Sequence, residues 1–328
     1  MLDRFGVLGR LKPRGRRRIG STDLTTHLGD LVLPNPVIAA SGTFGQSDEL
    51  ADVVDPADLG AITVKSLSVE PWAGNPPLRV APTVGGMINS VGLQNPGVDE
   101  WCASGLPALR DRGARVIASV WGHTVEDYGK AAARLTRVRS DLVALEVNVS
   151  CPNLHADSQM FAHDPAATAA VVETVVAQVG DLPVFAKLSP NTSEIVAVAE
   201  RAVDAGAAGL TAINTVSAMA IDARTRRPEL GAGTGGLSGR AIRPIALRCV
   251  RLVSRALPGV PIIGTGGVAS GEDAVEILLA GATAVGVGTA TFEDPRATVH
   301  VRDELDEWCA TQGIPRASDL VGALEEPA

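Results

Sequence analysis

From residue 98 to residue 311 the chain alternates apolar runs of strand length with stretches whose apolar residues repeat at helical spacing. This alternation is the strongest constraint on the fold. Strands that are each followed by a helix pair in parallel, because the helix carries the chain back to the same edge of the sheet. The runs are RVIASVWG (115–122), LVALEVNVS (142–150), PVFAKLS (183–189), GLTAIN (209–214), VPIIGTGG (260–267) and TAVGVGTA (283–290). Upstream, PNPVIAASGTFG (34–45) and GAITVKSLS (60–68) supply two more. The intervening stretches carry helix punctuation. Thr124 caps one, with Asp127 three residues on, and Asp164–Pro165 open another that Gly180 ends. Ser270 with Asp273 opens a third. The segments AGAAGLTAIN (205–214) and AGATAVGVGT (280–289) resemble each other, as repeats of one unit would. Eight such units predict an α/β fold, a (β/α)8 TIM barrel. A doubly wound sheet is the alternative; it requires fewer strands or a reversal of strand order.

The expected division is a basic extension over 1–24, a barrel over 25–311 and a tail over 312–328. The first twenty residues carry a net charge of +6 within a chain of net −8. Such an arm can meet an anionic surface, but a solvated extension is the simpler reading. It lacks the apolar core of a signal peptide, and no apolar run reaches membrane-spanning length. With aromatics at only 3%, the core must be aliphatic. Cys102, Cys151, Cys249 and Cys309 form no CxxC pair, so no metal site is expected, and free thiols in a cytoplasmic protein follow. Two long segments, 69–97 and 215–238, read as loops inserted at strand ends, the first rich in Pro, Gly and Asn.

In a parallel barrel the chemistry gathers at the C-terminal strand ends. Those ends carry Ser41, Lys65–Ser66, Ser119, Asn148 with Cys151, Lys187, Asn214–Thr215, and two glycine turns around Gly266–Gly267 and Gly288–Thr289. The paired glycine turns suit a phosphate. Lys187 lies within the apolar run VFAKL, where an ammonium needs a partner; a barrel carboxylate or an anionic ring would serve. Cys151 sits between Asn148 and Asn153 and before Pro152, which gives a thiol among carboxamides suited to a flat amide-bearing heterocycle. A buried structural Cys is the plain alternative.

SGTFG, the Lys65–Ser66 pair, INSVGLQNPG, NVSCPN, KLSPN, INT with MAID, TGGLSG and PIIGTGGV together resemble class 1 dihydroorotate dehydrogenases, over about residues 25 to 295. TGGLSG with MAID is most similar to the B subtype, which works with a separate FAD and iron–sulfur electron-transfer subunit. The resemblance implies FMN over the barrel mouth and oxidation of (S)-dihydroorotate to orotate, in pyrimidine biosynthesis. It places the flavin phosphate at Gly266, Gly267, Gly288 and Thr289, with Gly239 near the ribityl chain. Lys187 lies at the N1/C2 edge, and Ser41, Lys65, Ser66, Ser119, Asn148 and Ile213 lie around the ring. The substrate meets Lys65, Asn89, Ser90, Val91, Gly92, Leu93, Asn148, Asn153, Asn214 and Thr215. Cys151 is the implied base at C5, with hydride leaving C6 for flavin N5. A homodimer and no nucleic-acid partner are also implied.

Three departures from the family pattern stand out. Ser119 occupies a position where Asn is frequent. Arg240 replaces the Pro usual after TGGLSG, and 154–165 is polar rather than glycine-rich. Two other flavin barrels share features: dihydropyrimidine dehydrogenases and tRNA-dihydrouridine synthases. Asn153 and the intact NSVGLQNPG segment favour the orotate reading over the first. The short chain left after the eighth unit disfavours the second. A Schiff-base aldolase acting through Lys187 has no need of the Asn pair, and a purely binding role leaves the convergence of polar strand ends without a purpose.

Overall fold

The computed structural model of the chain describes residues 22–150 and 160–325. Its centre is a closed barrel of eight parallel strands. These are β1 (Val37–Ala39), β2 (Ala61–Thr63), β3 (Val116–Val120), β4 (Leu142–Asn148), β5 (Val184–Leu188), β6 (Gly209–Ala212), β7 (Ile262–Thr265) and β8 (Ala284–Val287). Each pairs with the next, and β8 closes on β1. All eight expected strands are present, and closure rules out the doubly wound alternative.

Helices cover the barrel: α1 (Val98–Ala103), α2 (Gly105–Asp111), α3 (Val125–Leu135), α4 (Pro165–Val179), α5 (Ile195–Asp204), α6 (Arg243–Ala256), α7 (Gly271–Leu279), α8 (Ala290–Glu293) and α9 (Ala297–Gln312). The expected caps form. Thr124 accepts from the Asp127 amide at 3.2 Å while Asp127 accepts from that of Thr124 at 3.1 Å, a reciprocal box. Asp164 accepts from the amides of Ala166 and Ala167, and Ser270 from that of Asp273. On α4, Val171, Val172, Val175 and Val179 are buried, each contributing about 1.5–3 kcal/mol of transfer free energy. The helical stretch over 98–111 divides at Ser104, and the one over 240–256 begins with a 3-10 turn at Arg240–Ile242.

Side chains alternate along each strand, so odd and even positions go to different cores. Outward residues such as Val116, Ala118, Leu145 and Val147 pack under the helices. Inward residues Ile38, Ala61, Ile117, Ala144, Phe185, Ile263 and Ala284 fill the lower barrel. A hairpin of Thr26–Leu28 and Leu31–Leu33 plugs that end with Leu28 and Leu33. The next inward layer is polar: Thr63, Ser119, Glu146, Lys187, Thr211 and Thr265, all buried.

The two segments read as loops fold together above the mouth. Val80–Thr83 and Gly86–Asn89 form a hairpin, and Gly235–Ser238 and Val216–Ala218 extend it into a four-stranded antiparallel sheet. Pro82 is tolerated because its strand is at the edge. After α9 the chain stays on the barrel: Ala317 and Leu320 are buried, and the Ala317 amide donates to the Asp23 carbonyl.

Candidate active site

The C-terminal strand ends and the added sheet enclose a cavity of about 590 Å³, within the range usual for small-molecule sites. β7 and β8 build one side. Gly266 and Gly267 have φ of +126° and +84°, a backbone that side chains rarely adopt. A Cβ on Gly267 would lie 2.6 Å from that of Arg243. Gly288, Thr289 and Gly239 continue this wall, and the Thr289 hydroxyl donates to Ser238 at 2.8 Å. Buried Asp273 on α7 braces the turn. It accepts from the Ala269 amide at 2.9 Å and pairs with Arg243 and, at 3.5 Å, with Arg240. The unusual Arg240 thus extends an ion cluster.

β1 and β2 supply Ser41, Lys65 and Ser66. Gly42 (φ +83°) lets the Lys65 chain cross it; a Cβ there would lie 3.2 Å from Nζ. The added sheet and the turn after it contribute Asn89, Ser90, Val91, Gly92 and Leu93, with Asn89 Nδ2 donating to the Gly236 carbonyl at 3.2 Å. β4, β5 and β6 lead to Asn148, Lys187, Ile213, Asn214 and Thr215 on the same cavity. Asn214 Nδ2 donates to Asn148 Oδ1 at 3.3 Å, and the Asn148 carbonyl accepts from Tyr128 at 2.7 Å. Lys187, 7% exposed, lies 3.5 Å from Glu146 Oε1. Of the two partners open to that lysine, a barrel carboxylate or an anionic ring, the structure provides the first as Glu146.

Every described residue expected at the site lines this cavity except Ser119. Ser119 is fully buried, does not line the wall, and bonds to Ser66 and Glu146 instead. Its inward position on β3 is two residues too deep for the mouth. Cys151 and Asn153 lie outside the described residues, as does the first half of the 154–165 segment.

Sequence reading missed an aromatic wall. Trp72, Trp121 and His123 meet edge to face, with centroids 4.9 to 5.8 Å apart, and all three line the cavity. Period two from Ser119 would have pointed Trp121 inward. Ser90 Oγ, Trp121 Nε1 and Ser150 Oγ are buried wall atoms with no hydrogen-bond partner among the described residues. Unpaired buried polar atoms on a cavity wall call for a polar ligand. The glycine cradle, the lysine and this polar wall fit a flavin and a small planar substrate.

Burial pushes the Cys249 and Cys102 thiols up, and Cys309 to about 11.

A mouth of this design can hold a phosphate-bearing cofactor on its glycine side and a planar, amide-seeking molecule on its asparagine side. That arrangement belongs to barrel oxidoreductases that work through a flavin. The family profile for dihydroorotate dehydrogenase matches residues 23–308. A Solibacter usitatus protein with the provisional name dihydroorotate dehydrogenase A (fumarate) is 50% identical over 92% of this chain and 98% of its own. The dihydroorotate dehydrogenase B (NAD(+)) catalytic subunits of Geotalea daltonii and Pelobacter propionicus are each 46% identical over 92% of this chain, and 98% and 99% of theirs. The chain belongs to the dihydroorotate dehydrogenase family and is an oxidoreductase. Among its described residues no helix is long and apolar enough to cross a membrane.

Proposed function

We propose that this chain is the FMN-binding catalytic subunit of a B-type dihydroorotate dehydrogenase, oxidising (S)-dihydroorotate to orotate. The observation that carries the reading is the meeting of Lys65, the 89–93 turn, Asn148 and Asn214 on one cavity with the glycine cradle of β7 and β8. Bound FMN supplies a two-electron acceptor for the hydride leaving C6. Gly266, Gly267, Gly288 and Thr289 hold its phosphate, and Lys187 offsets negative charge at the pyrimidine edge of its ring. Lys65 faces the substrate carboxylate, and the Asn148 and Asn214 amides orient the dihydropyrimidine ring.

Cys151 acts as the base that takes the C5 proton. A thiol is a weak base near neutrality, so its environment must lower its pKa or the reaction must favour alkaline pH. Asn153 shares the substrate contacts. Relatives named as catalytic subunits of an NAD(+)-linked enzyme support a separate subunit as the route for electrons; we propose that it carries FAD and an iron–sulfur centre, and that the assembly unit is a homodimer. Fumarate is the second acceptor to test, because the Solibacter relative carries that name.

The test is Cys151→Ala. The variant should bind FMN normally yet reduce it with dihydroorotate at least about 100-fold more slowly, the usual scale for a lost general base. Reduction at the wild-type rate would remove Cys151 from the mechanism.

A further inference from the structure

Below the cavity floor a buried chain of hydrogen bonds joins the two sides of the mouth. Lys187 Nζ pairs with Glu146 Oε1 at 3.5 Å. The same Oε1 accepts from the Ser119 hydroxyl at 3.2 Å. Ser119 and Ser66 hydroxyls are 2.9 Å apart, and Asn148 Nδ2 donates to Ser66 Oγ at 3.2 Å. Asn148 Oδ1 then accepts from Asn214 Nδ2 at 3.3 Å and from the Ser150 amide at 3.2 Å. Strand register builds the chain: Ser119 is opposite Glu146, and Asn148 is opposite Lys187. Glu146 and Asn148 are two apart on β4, so both point inward. Lys187, Ser66 and Asn148 line the cavity, whereas Glu146 and Ser119 do not.

The chain has a direction, and one residue sets it. A carboxylate only accepts hydrogen bonds, whereas a hydroxyl both donates and accepts. Ser119 must therefore spend its proton on Glu146, which leaves its oxygen to accept from Ser66. Ser66 has then spent its own proton and must accept from the Asn148 amide. Asn148 is thus held with Nδ2 toward Ser66 and Oδ1 toward Asn214. At the other end the same carboxylate balances the Lys187 charge beside the flavin site. At 2% exposure, water cannot replace either contact.

We infer that Glu146 is a positioning residue with two effects: it moderates the positive charge that Lys187 offers the reduced flavin, and through Ser119 and Ser66 it fixes the amide orientation that receives the substrate. This deepens the dihydroorotate reading and rests on it. Ser119, where the family frequently has Asn, is the link that carries the second effect.

Two variants separate the effects. Glu146→Gln keeps the shape, removes the charge and supplies a donor that can reverse the chain. Ser119→Ala cuts the chain but leaves the ion pair intact. Both are compared with wild type, as FMN-loaded full-length protein, for flavin midpoint potential and orotate affinity. Glu146→Gln should shift the reduction equilibrium about tenfold toward reduced flavin, roughly 30 mV upward for a two-electron couple, and weaken orotate about tenfold. Ser119→Ala should weaken orotate to the same degree and leave the potential in place. An unchanged potential in Glu146→Gln, or wild-type orotate affinity in Ser119→Ala, overturns the inference. If Glu146→Gln does not fold, Glu146→Asp takes its place for the potential: the shorter side chain draws the charge back from Lys187 and should raise the potential in the same direction, and an unchanged potential overturns the charge effect, while Ser119→Ala decides the orientation effect by orotate affinity. Failure of the parent reading looks different: wild-type protein would then bind FMN and not be reduced by dihydroorotate.

Discussion

Among single residues, what matters is which polar side chains have partners and which face the cavity. Lys187 was legible in the sequence because an ammonium within VFAKL demands compensation. Its partner was not singled out, although VALEVN has the same signature: a charge in an apolar strand buried at every position after Val143. Counting by two from Asn148 leads to Glu146, and counting from Ser119 leads to Trp121. Glu146 was passed over because reading only strand ends ignores the layer beneath, and Trp121 because the end of β3 was placed at Ser119, one inward position too early. The thiols offer a separate test. A thiol whose pKa is raised stays protonated, and inert to alkylation, below that pKa. Cys309 at about 11 and the raised Cys249 should resist iodoacetamide at neutral pH in the native protein. Peptide mapping should find Cys151 labelled first and the other two only after denaturation. Equal labelling of Cys309 and Cys151 would contradict the assignment of Cys151 as the activated thiol.

At the scale of elements, the alternation of strands and helices was readable because each barrel unit carries its own punctuation, from the Thr124–Asp127 box to the Asp164 cap. The sheet above the mouth was not. Its strands come from 80–89 and 216–238, and their glycines and Pro82 hide any period-two pattern. Pairing between segments so far apart is decided by tertiary contact, which local propensity does not encode. The β7 turn makes a prediction at this level. Gly267 and Gly259 both have positive φ, but only Gly267 has a neighbour in the way of a Cβ. Gly267→Ala should therefore lower FMN affinity at least about tenfold, as a backbone shift in the cradle misplaces the phosphate donors. Gly259→Ala bears similar backbone strain away from the cavity and should leave FMN affinity unchanged in a fluorescence titration. Equal effects would show that the turn at Gly267 does not cradle the cofactor.

At the scale of the whole molecule, the barrel makes one end a structural plug and the other a reaction chamber. Apolar inward residues and the 26–33 hairpin fill the first. Polar inward residues, two glycine turns and the added sheet shape the second. The family follows from this body and from relatives aligned over nearly their full lengths. The basic first twenty residues fall outside both the family match and the described residues. The central claim is that dihydroorotate delivers its electrons to a flavin held at the mouth. The direct measurement is anaerobic addition of dihydroorotate to the purified, FMN-loaded chain while its visible spectrum is recorded. The yellow flavin band should be lost at one equivalent of dihydroorotate per flavin, with formation of orotate. A flavin band that persists while orotate still binds would contradict it.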